Sequence, residues 1–409
     1  MKRHLIGIGG VGMSALATAL VRLGDEVTGA DRTLGTPNIR FLESLGVRVF
    51  PDDGSGVDAS TDEVIVSTAI EDTNPGLRRA GELGIPVTHR AKALSRALSG
   101  RRLVAVVGTC GKSTVTAMLG HVLAECGLDP LCVNGANVPG WEGAVRFGRG
   151  EYAVAEVDES DKSLVAFSPY AAIVTNASAD HFSKEEMDEV FDAFVKDCQG
   201  PVVDGRAAAE GTDAIAEADT SIPGRHNRCN AALALRMALA LGCDEGAARA
   251  ALLSFRGVER RLQRILPQGG AREGSPAVFD DYAHNPEKLR AMWTTLAESF
   301  PRGLCVVWRP HGYAPLRKML HPLAEMFSAT IRPQDRLLLL PVYDAGGTTD
   351  RSLNSDALAA EIASGVVQVP DLDAALAWCA AHREEFECFA TCGARDPGLP
   401  LLAKRLAEM

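Results

Sequence analysis

One stretch limits the possible folds more than any other. Residues 102–116 read Arg-Leu-Val-Ala-Val-Val-Gly-Thr-Cys-Gly-Lys-Ser-Thr-Val-Thr. Residues 103–107 are an unbroken apolar run rich in valine, the pattern of a parallel strand covered on both faces, and from 113 to 126 the spacing turns helical. A loop between such a strand and helix gathers backbone N–H groups and the positive end of a helix dipole at one place, which suits a polyphosphate. Lys112 is placed for the terminal phosphates and the Ser113 hydroxyl for Mg²⁺. The spacing departs from the general phosphate-loop pattern, because two residues rather than four separate Gly108 from Gly111 and Val106 stands where the first glycine belongs.

A chain of 409 residues exceeds what one hydrophobic core serves, so two or three domains are expected. Lysine and arginine number 42 against 53 aspartates and glutamates, a net charge of −11 that argues against a general nucleic-acid or membrane-surface binder. Anionic small molecules then need local arginine or lysine. Ten cysteines are scattered without a CxxC pair or metal-ligand spacing and read as reduced thiols, with Cys132, Cys305 and Cys379 in apolar runs as core residues. The N-terminus meets a glycine cluster too soon for a signal peptide and no apolar run is long enough to span a bilayer, so a cytoplasmic protein is expected.

The chain opens with a strand at 5–8, the run Gly7-Ile8-Gly9-Gly10-Val11-Gly12-Met13-Ser14 and a helix at 14–23, followed by a strand at 26–29 that leads to Asp31. This is a dinucleotide-fold opening, with Asp31 about twenty residues after the glycines and placed to meet a ribose hydroxyl. NAD is the first ligand it suggests. The spacing is Gly-x-Gly-Gly-x-Gly rather than Gly-x-Gly-x-x-Gly, however, and the same βαβ geometry accepts any diphosphate, that of a UDP-sugar included. A strand at 64–67 ends in Ser67, Asn74-Pro75 starts a helix, and residues 92–100 read as helix and linker before the phosphate strand.

The next segment supplies acids. A strand at 152–157 delivers Glu156, Asp158, Glu159 and Asp161, a carboxylate cluster that is costly unless a cation neutralises it. Mg²⁺ held by Ser113, Glu156 and nucleotide phosphates explains it most simply. His181, after the strand at 171–175, is either a second-metal ligand or a satisfied buried histidine. Residues 205–221 read as a surface loop or an abbreviated subdomain. His226 and Asn227 offer a ring and an amide at a helix start, which suits a purine, and one of Arg260 and Arg261 is placed to reach phosphate. A third α/β unit follows, with strands at 277–279, 304–308, 336–340 and 386–390 that each end in a polar loop, so that one ligand-binding rim is expected there.

These motifs, taken in order, resemble the Mur ligase family. The match runs through Gly-Ile-Gly-Gly-Val-Gly-Met-Ser, Ser67-Thr68-Ala69-Ile70 with Asn74-Pro75, Gly-Thr-Cys-Gly-Lys-Ser-Thr, residues 156–161, 176–181, 224–230, 257–263 and 280–286. The family's shortened phosphate loop accounts for the two-residue spacing. The resemblance implies an α/β protein of three domains: residues 1–98 a Rossmann-like UDP-sugar domain, 99–264 a central ATP and Mg²⁺ domain with a mostly parallel sheet, and 265–409 a Rossmann-like domain for the incoming amino acid. The implied activity is ATP-dependent amide-bond formation in peptidoglycan precursor synthesis, joining L-alanine to the carboxylate of UDP-N-acetylmuramate through an acyl phosphate. Lys112 would bind the β- and γ-phosphates within a cradle of Gly108, Thr109, Gly111, Ser113 and Thr114. Ser113 and Glu156 would hold the first Mg²⁺, and His181 a second. His226 and Asn227 would hold adenine, Arg260 the transferred phosphate, and Asp280 with Tyr282 the nucleotide from the third domain. Gly9, Gly10, Gly12, Met13, Ser14, Asp31, Ser67, Asp158, Glu159 and Ser160 would surround the UDP-sugar, and His284, Arg309, His311 and Arg317 the amino acid.

Three departures bear on the substrate. The family's amino-acid loop carries arginine directly after the histidine and again three residues on, whereas here Gly312 and Pro315 occupy those places and Arg309, Arg317 or Lys318 is left to meet a carboxylate. His284-Asn285 stands where the alanine-adding enzymes carry paired histidines, and the chain is short around 205–221. A ligase joining a preformed tripeptide, or a Mur-like ligase with another amine, would share the ATP chemistry and differ at 309–318. A nucleotide-binding switch without catalysis is the non-enzyme alternative. Small molecules are the expected partners, and no feature specifies an oligomeric state.

Overall fold

The computed structural model describes residues 1–158, 163–177, 184–206, 217–270, 274–344 and 350–409. Two compact units emerge, one of residues 1–222 with 227–258 and one of 223–226 with 259–409.

The first unit holds two sheets. In the first, β1 (Lys2–Ile6), β2 (Glu26–Asp31), β3 (Arg48–Pro51), β4 (Glu63–Val66) and β5 (Val87–His89) run parallel in the order β3-β2-β1-β4-β5. Helices α1 (Val11–Arg22), α2 (Pro37–Ser44), α3 (Pro75–Leu83) and α4 (Arg90–Leu98) connect them. The order reverses at β1, and the glycine run follows that strand, where an open α/β sheet takes its ligand. Helix α1 begins three residues before its expected start, since Gly10 serves as its N-cap.

The second sheet has the order β11-β10-β6-β9-β7-β8. Its strands are β6 (Arg102–Val107), β7 (Leu131–Val133), β8 (Val145–Phe147), β9 (Tyr152–Glu156), β10 (Ala171–Val174) and β11 (Val202–Asp204), all parallel except the β7–β8 pair. Strand β6 is central and buried on both faces, as its valine run requires. Helix α5 (Lys112–Glu125) is buried almost all round and packs within the core that also holds Cys132. The other helices of this unit are α6 (Lys184–Val195) and, after the region around 205–221 of which 207–216 lie outside the described residues, α7 (Arg225–Ala240) and α8 (Glu245–Ser254).

The second unit is built on β12 (Gln263–Ile265), β13 (Ala277–Asp281), β14 (Leu304–Trp308), β15 (Arg336–Leu339), β16 (Val366–Gln368) and β17 (Cys388–Cys392). Their order is β12-β13-β17-β14-β15-β16, parallel except for β12. Helices α9 (Pro286–Ser299), α10 (Tyr313–Thr330), α11 (Ser355–Glu361), α12 (Leu372–Ala381) and α13 (Gly398–Ala407) lie among these strands in the chain. Cys305 and Cys379 are fully buried, as expected from their apolar runs, and all ten cysteines are free thiols. Among the described residues no helix is long and apolar enough to cross a membrane.

Candidate active site

The phosphate loop is held by the end of the neighbouring strand. Residues 175 and 176 follow β10, which pairs with β6. The Asn176 amide oxygen accepts from Thr109 Oγ1 at 2.6 Å and from the Cys110 N–H at 3.0 Å, while its Nδ2 and Thr175 Oγ1 donate to the Cys110 carbonyl at 2.9 and 2.6 Å. This bracing fixes a loop whose backbone groups would otherwise need ordering on each encounter with ligand. Gly108 has φ +128°, and a Cβ there would lie 2.1 Å from Thr175 Oγ1, so only glycine fits. Gly111, with φ +83°, caps α5 in the left-handed region and leaves the first amides of the helix facing the loop. Lys112 Nζ donates to the Gly108 carbonyl at 2.6 Å and stands 4.0 Å from Asp158 Oδ1. Ser113 and Thr114 are buried in the first turn of α5.

Glu156 ends β9 and pairs in register with Val106, two residues before Gly108. Its Oε2 accepts from the Gly135 N–H at 2.7 Å, and a Cβ on Gly135 would come within 2.4 Å of that carboxylate. Ser113 and Glu156 offer a hydroxyl and a carboxylate, the oxygen chemistry of a hard divalent cation that takes further ligands from phosphate and water. The residues present therefore fit Mg²⁺. No cluster of three or more His, Cys, Asp or Glu side chains suited to a metal occurs among the described residues. His181, Glu159 and Ser160 lie outside them. Asp158, expected near the sugar, sits beside Lys112.

At the glycine run after β1, Asp31 Oδ2 accepts from the Gly9 N–H at 2.9 Å and its Oδ1 from the Thr33 N–H at 3.0 Å. The Asn38 amide donates to the Gly9 carbonyl at 2.9 Å. Asp31 thus shapes the loop. Gly10 is the N-cap of α1 and Gly12 lies in its first turn with the buried Met13 and Ser14, and Ser67 is half-buried just past β4. Sequence reasoning missed Arg90. Its Nη1 would lie 3.1 Å from a Cβ on Gly12, which brings a cation against the glycine run from the first residue of α4.

In the second unit, Arg260 Nε donates to Asp280 Oδ2 at 3.1 Å, its guanidinium lies 5.0 Å from the Tyr282 ring centre, and its Nη2 donates to the Gly393 carbonyl. Thr391 Oγ1 donates to Asp280 Oδ1 at 2.7 Å. Arg260 and Leu262 both have positive φ, of 59° and 43°, so backbone strain accompanies this arrangement. His284 and His311 meet edge to face with ring centres 4.9 Å apart. Burial, then the neighbouring His284, Arg395 and Lys288, hold His311 down to about 4. Arg309 pairs with Asp396 at 2.7 Å and Arg317 with Asp350 at 2.7 Å, so both arginines expected at the amino acid already have carboxylate partners. His226 contacts Thr295 at 3.5 Å, and Asn227, the next residue of α7, is buried beside Asn230 at 3.4 Å.

Burial pushes the Asp280 carboxyl up to about 6 against the opposing pull of Arg260 and Thr391. Between pH ~4, where an unfolded aspartate loses its proton, and pH ~6, the native state holds a proton that the unfolded state has released. Stability in that window therefore falls as pH rises. Urea titrations from pH 4 to 7 should show this decline in the wild-type chain and a flatter profile in Asp280→Asn; parallel profiles would contradict the assignment.

Residues 2–102 match the family described as Mur ligase family, catalytic domain, and residues 260–395 match the Mur ligase, glutamate ligase domain. A curated relative from Paenarthrobacter aurescens, named UDP-N-acetylmuramate--L-alanine ligase, is 34% identical over 442 aligned residues that cover 96% of this chain and 94% of its own. The chain belongs to the Mur ligase family. A relative of the same name from Halorhodospira halophila is 35% identical over 412 residues, covering 88% of this Mur ligase and 83% of its own length. Among solved structures, the UDP-N-acetylmuramate-alanine ligase from Thermotoga maritima superposes with a TM-score of 0.81 at 26% identity, covering 100% of this chain and 98% of that one. The three mostly parallel sheets are thus those of a three-domain Mur ligase, an ATP-dependent enzyme acting on small molecules.

Proposed function

We propose that this Mur ligase joins L-alanine to the carboxylate of UDP-N-acetylmuramate. A carboxylate oxygen attacks the γ-phosphorus of ATP and ADP leaves; the amine of L-alanine then attacks the acyl carbon, gives up a proton, and phosphate leaves as the amide forms. The observation that carries the reading is the braced loop that presents Lys112, Ser113 and the amides of α5 beside Glu156 and Asp158. The names of its relatives supply the substrates.

In this reading the loop amides from Gly108 to Thr114 and the Lys112 ammonium hold the phosphates of ATP and follow the charge that spreads over the phosphoryl oxygens during transfer. Ser113, Glu156 and His181 would hold Mg²⁺, which when bound neutralises part of the phosphate charge. His226 and Asn227 are assigned to adenine, Arg260 to the transferred phosphoryl group, and Asp280 and Tyr282 to the nucleotide. Gly9, Gly10, Gly12, Met13, Ser14, Asp31, Ser67, Asp158, Glu159 and Ser160 are assigned to the UDP-sugar, with Arg90 added for its diphosphate. His284 and His311 are assigned to the amino acid, and Arg309 and Arg317, already paired with Asp396 and Asp350, to shaping the loops around it. The domain limits proposed are 1–98, 99–258 and 259–409; the second boundary moves from 264/265 because β12 pairs with β13. A cytoplasmic location suits ten free thiols.

Phosphate release, measured with ATP, Mg²⁺ and UDP-N-acetylmuramate against single amino acids and a muramyl-type tripeptide, tests the reading. Release that requires both UDP-N-acetylmuramate and L-alanine is expected, and silence with every amine sinks it. In the same assay Gly108→Ala should lower kcat/KM for ATP by at least about tenfold, or ~1.4 kcal/mol, because its new methyl collides with the Thr175 hydroxyl. An unchanged value would show that the loop does not contact ATP.

A further inference from the structure

The rim of the third sheet has cations in plenty, and nearly all of them are committed. Arg260 is held by Asp280 and the Gly393 carbonyl, Arg309 by Asp396, Arg317 by Asp350 and Arg351 by Asp344. Arg261 lies over the Tyr282 ring at 5.5 Å, with Asp281 near enough to feel its charge. Arg395 is different. It is exposed and makes no hydrogen bond or ion pair with any described residue. Its φ is +68°, the left-handed region where glycine or asparagine is the ordinary occupant and an arginine is strained.

The topology explains what this arginine faces. Strand β17 lies between β13 and β14, with Cys392 in register with Asp281 on one side and Trp308 on the other. The loop after β17, which carries Arg395, is therefore flanked by the loop after β13, which carries His284, and the loop after β14, which carries His311. The two imidazoles meet 4.9 Å apart across that gap. The Arg395 charge acts on His311 and, with burial and Lys288, disfavours an imidazolium there. The place is electropositive, and the His311 ring is kept neutral.

The geometry points to Arg395 as the specificity residue that takes the α-carboxylate of the incoming amino acid, at a strand end next to His284 and His311. This assignment rests on the proposed function, in which the third domain receives L-alanine. It also accounts for Gly312 and Pro315, since a planar guanidinium fork in the loop after β17 supplies the two parallel hydrogen bonds that the loop at 309–318 leaves out. Backbone strain kept at a residue that bonds to no described side chain or backbone group is found most often at ligand-binding positions, which is the reading taken for Arg395.

The test is steady-state phosphate release at saturating ATP and UDP-N-acetylmuramate, with L-alanine varied, for the wild-type chain, Arg395→Gly and Arg395→Lys. Glycine suits the left-handed backbone, so Arg395→Gly should melt no lower than the wild type. Its KM for L-alanine should rise about 10- to 100-fold, the worth of a charged hydrogen-bond pair, with KM for ATP and UDP-N-acetylmuramate unchanged. Arg395→Lys should fall between, because an ammonium offers the charge without the fork. L-Alaninamide, an amine without the carboxylate, should be used weakly and equally by the wild type and Arg395→Gly. An unchanged KM for L-alanine in a folded Arg395→Gly, or an equal loss with L-alaninamide, overturns the assignment alone. Absence of turnover by the wild-type chain with L-alanine overturns the functional reading and this assignment with it.

Discussion

Lys112→Ala is expected to lower phosphate release by about a hundred- to a thousandfold while leaving the melting temperature where it was. The side chain belongs to the loop and not to a core: its ammonium donates to the Gly108 carbonyl at 2.6 Å and lies 4.0 Å from Asp158. The Asp158 side chain is 45% exposed and the other partner is a neutral carbonyl, so truncation strands no buried charge and the fold loses little. The loss falls on the charge that develops during phosphoryl transfer, because no other lysine or arginine occupies residues 103–120. Paired phosphate-release and circular-dichroism melts separate the two effects. Turnover retained within tenfold of the wild type would remove Lys112 from the site.

Asp335→Ala should destabilise the second unit by about 3–5 kcal/mol. Asp335 is 0% exposed, and each oxygen is multiply engaged. Oδ1 accepts from the Leu304 N–H at 3.0 Å and Arg332 Nη2 at 2.8 Å; Oδ2 accepts from Trp293 Nε1 at 3.0 Å and Arg332 Nε at 2.9 Å. One carboxylate thus ties the entrance of β14, the inner face of α9 and the turn before β15. Alanine leaves an indole N–H, a backbone N–H and part of a guanidinium without acceptors in a dry interior. Trp293 and Trp308, both essentially buried in this unit, provide the fluorescence signal for a urea titration. Asp335→Asn keeps an acceptor and should lose less. A shift below about 1 kcal/mol for Asp335→Ala would mean that the stranded donors find water.

The central strands were legible because burial on both faces leaves an uninterrupted apolar run, as at Val104–Val107, Ala171–Val174 and Leu304–Trp308. Strands β3, β5, β7, β8, β11, β12 and β16 escaped notice. At three or four residues they are too short to show a period, and most lie at or next to a sheet edge, where partners rather than composition decide pairing. The phosphate loop could be read locally, since its glycines, lysine and hydroxyls are contiguous. Its brace by Thr175 and Asn176 could not, because it depends on β10 lying beside β6 across more than sixty residues of chain. Arg90 and Arg395 were hidden for the same reason: one reaches Gly12 from a distant helix start, and the other matters because β17 enters between β13 and β14. Arg309 and Arg317 looked available in sequence, and only their placement opposite Asp396 and Asp350 shows them already paired.

Ten of the fourteen residues of α5 are buried, so this helix meets solvent chiefly at its C-terminal turn and cannot unwind as a whole by itself. Its amides should exchange with deuterium only when the whole β6-centred layer opens, at rates set by global unfolding, while the short edge strands exchange far sooner. A cradle anchored to such a helix is already assembled when nucleotide arrives. Little chain entropy is then lost at the phosphates on binding, and calorimetry should place the ordering cost of the catalytic cycle in other parts of the chain.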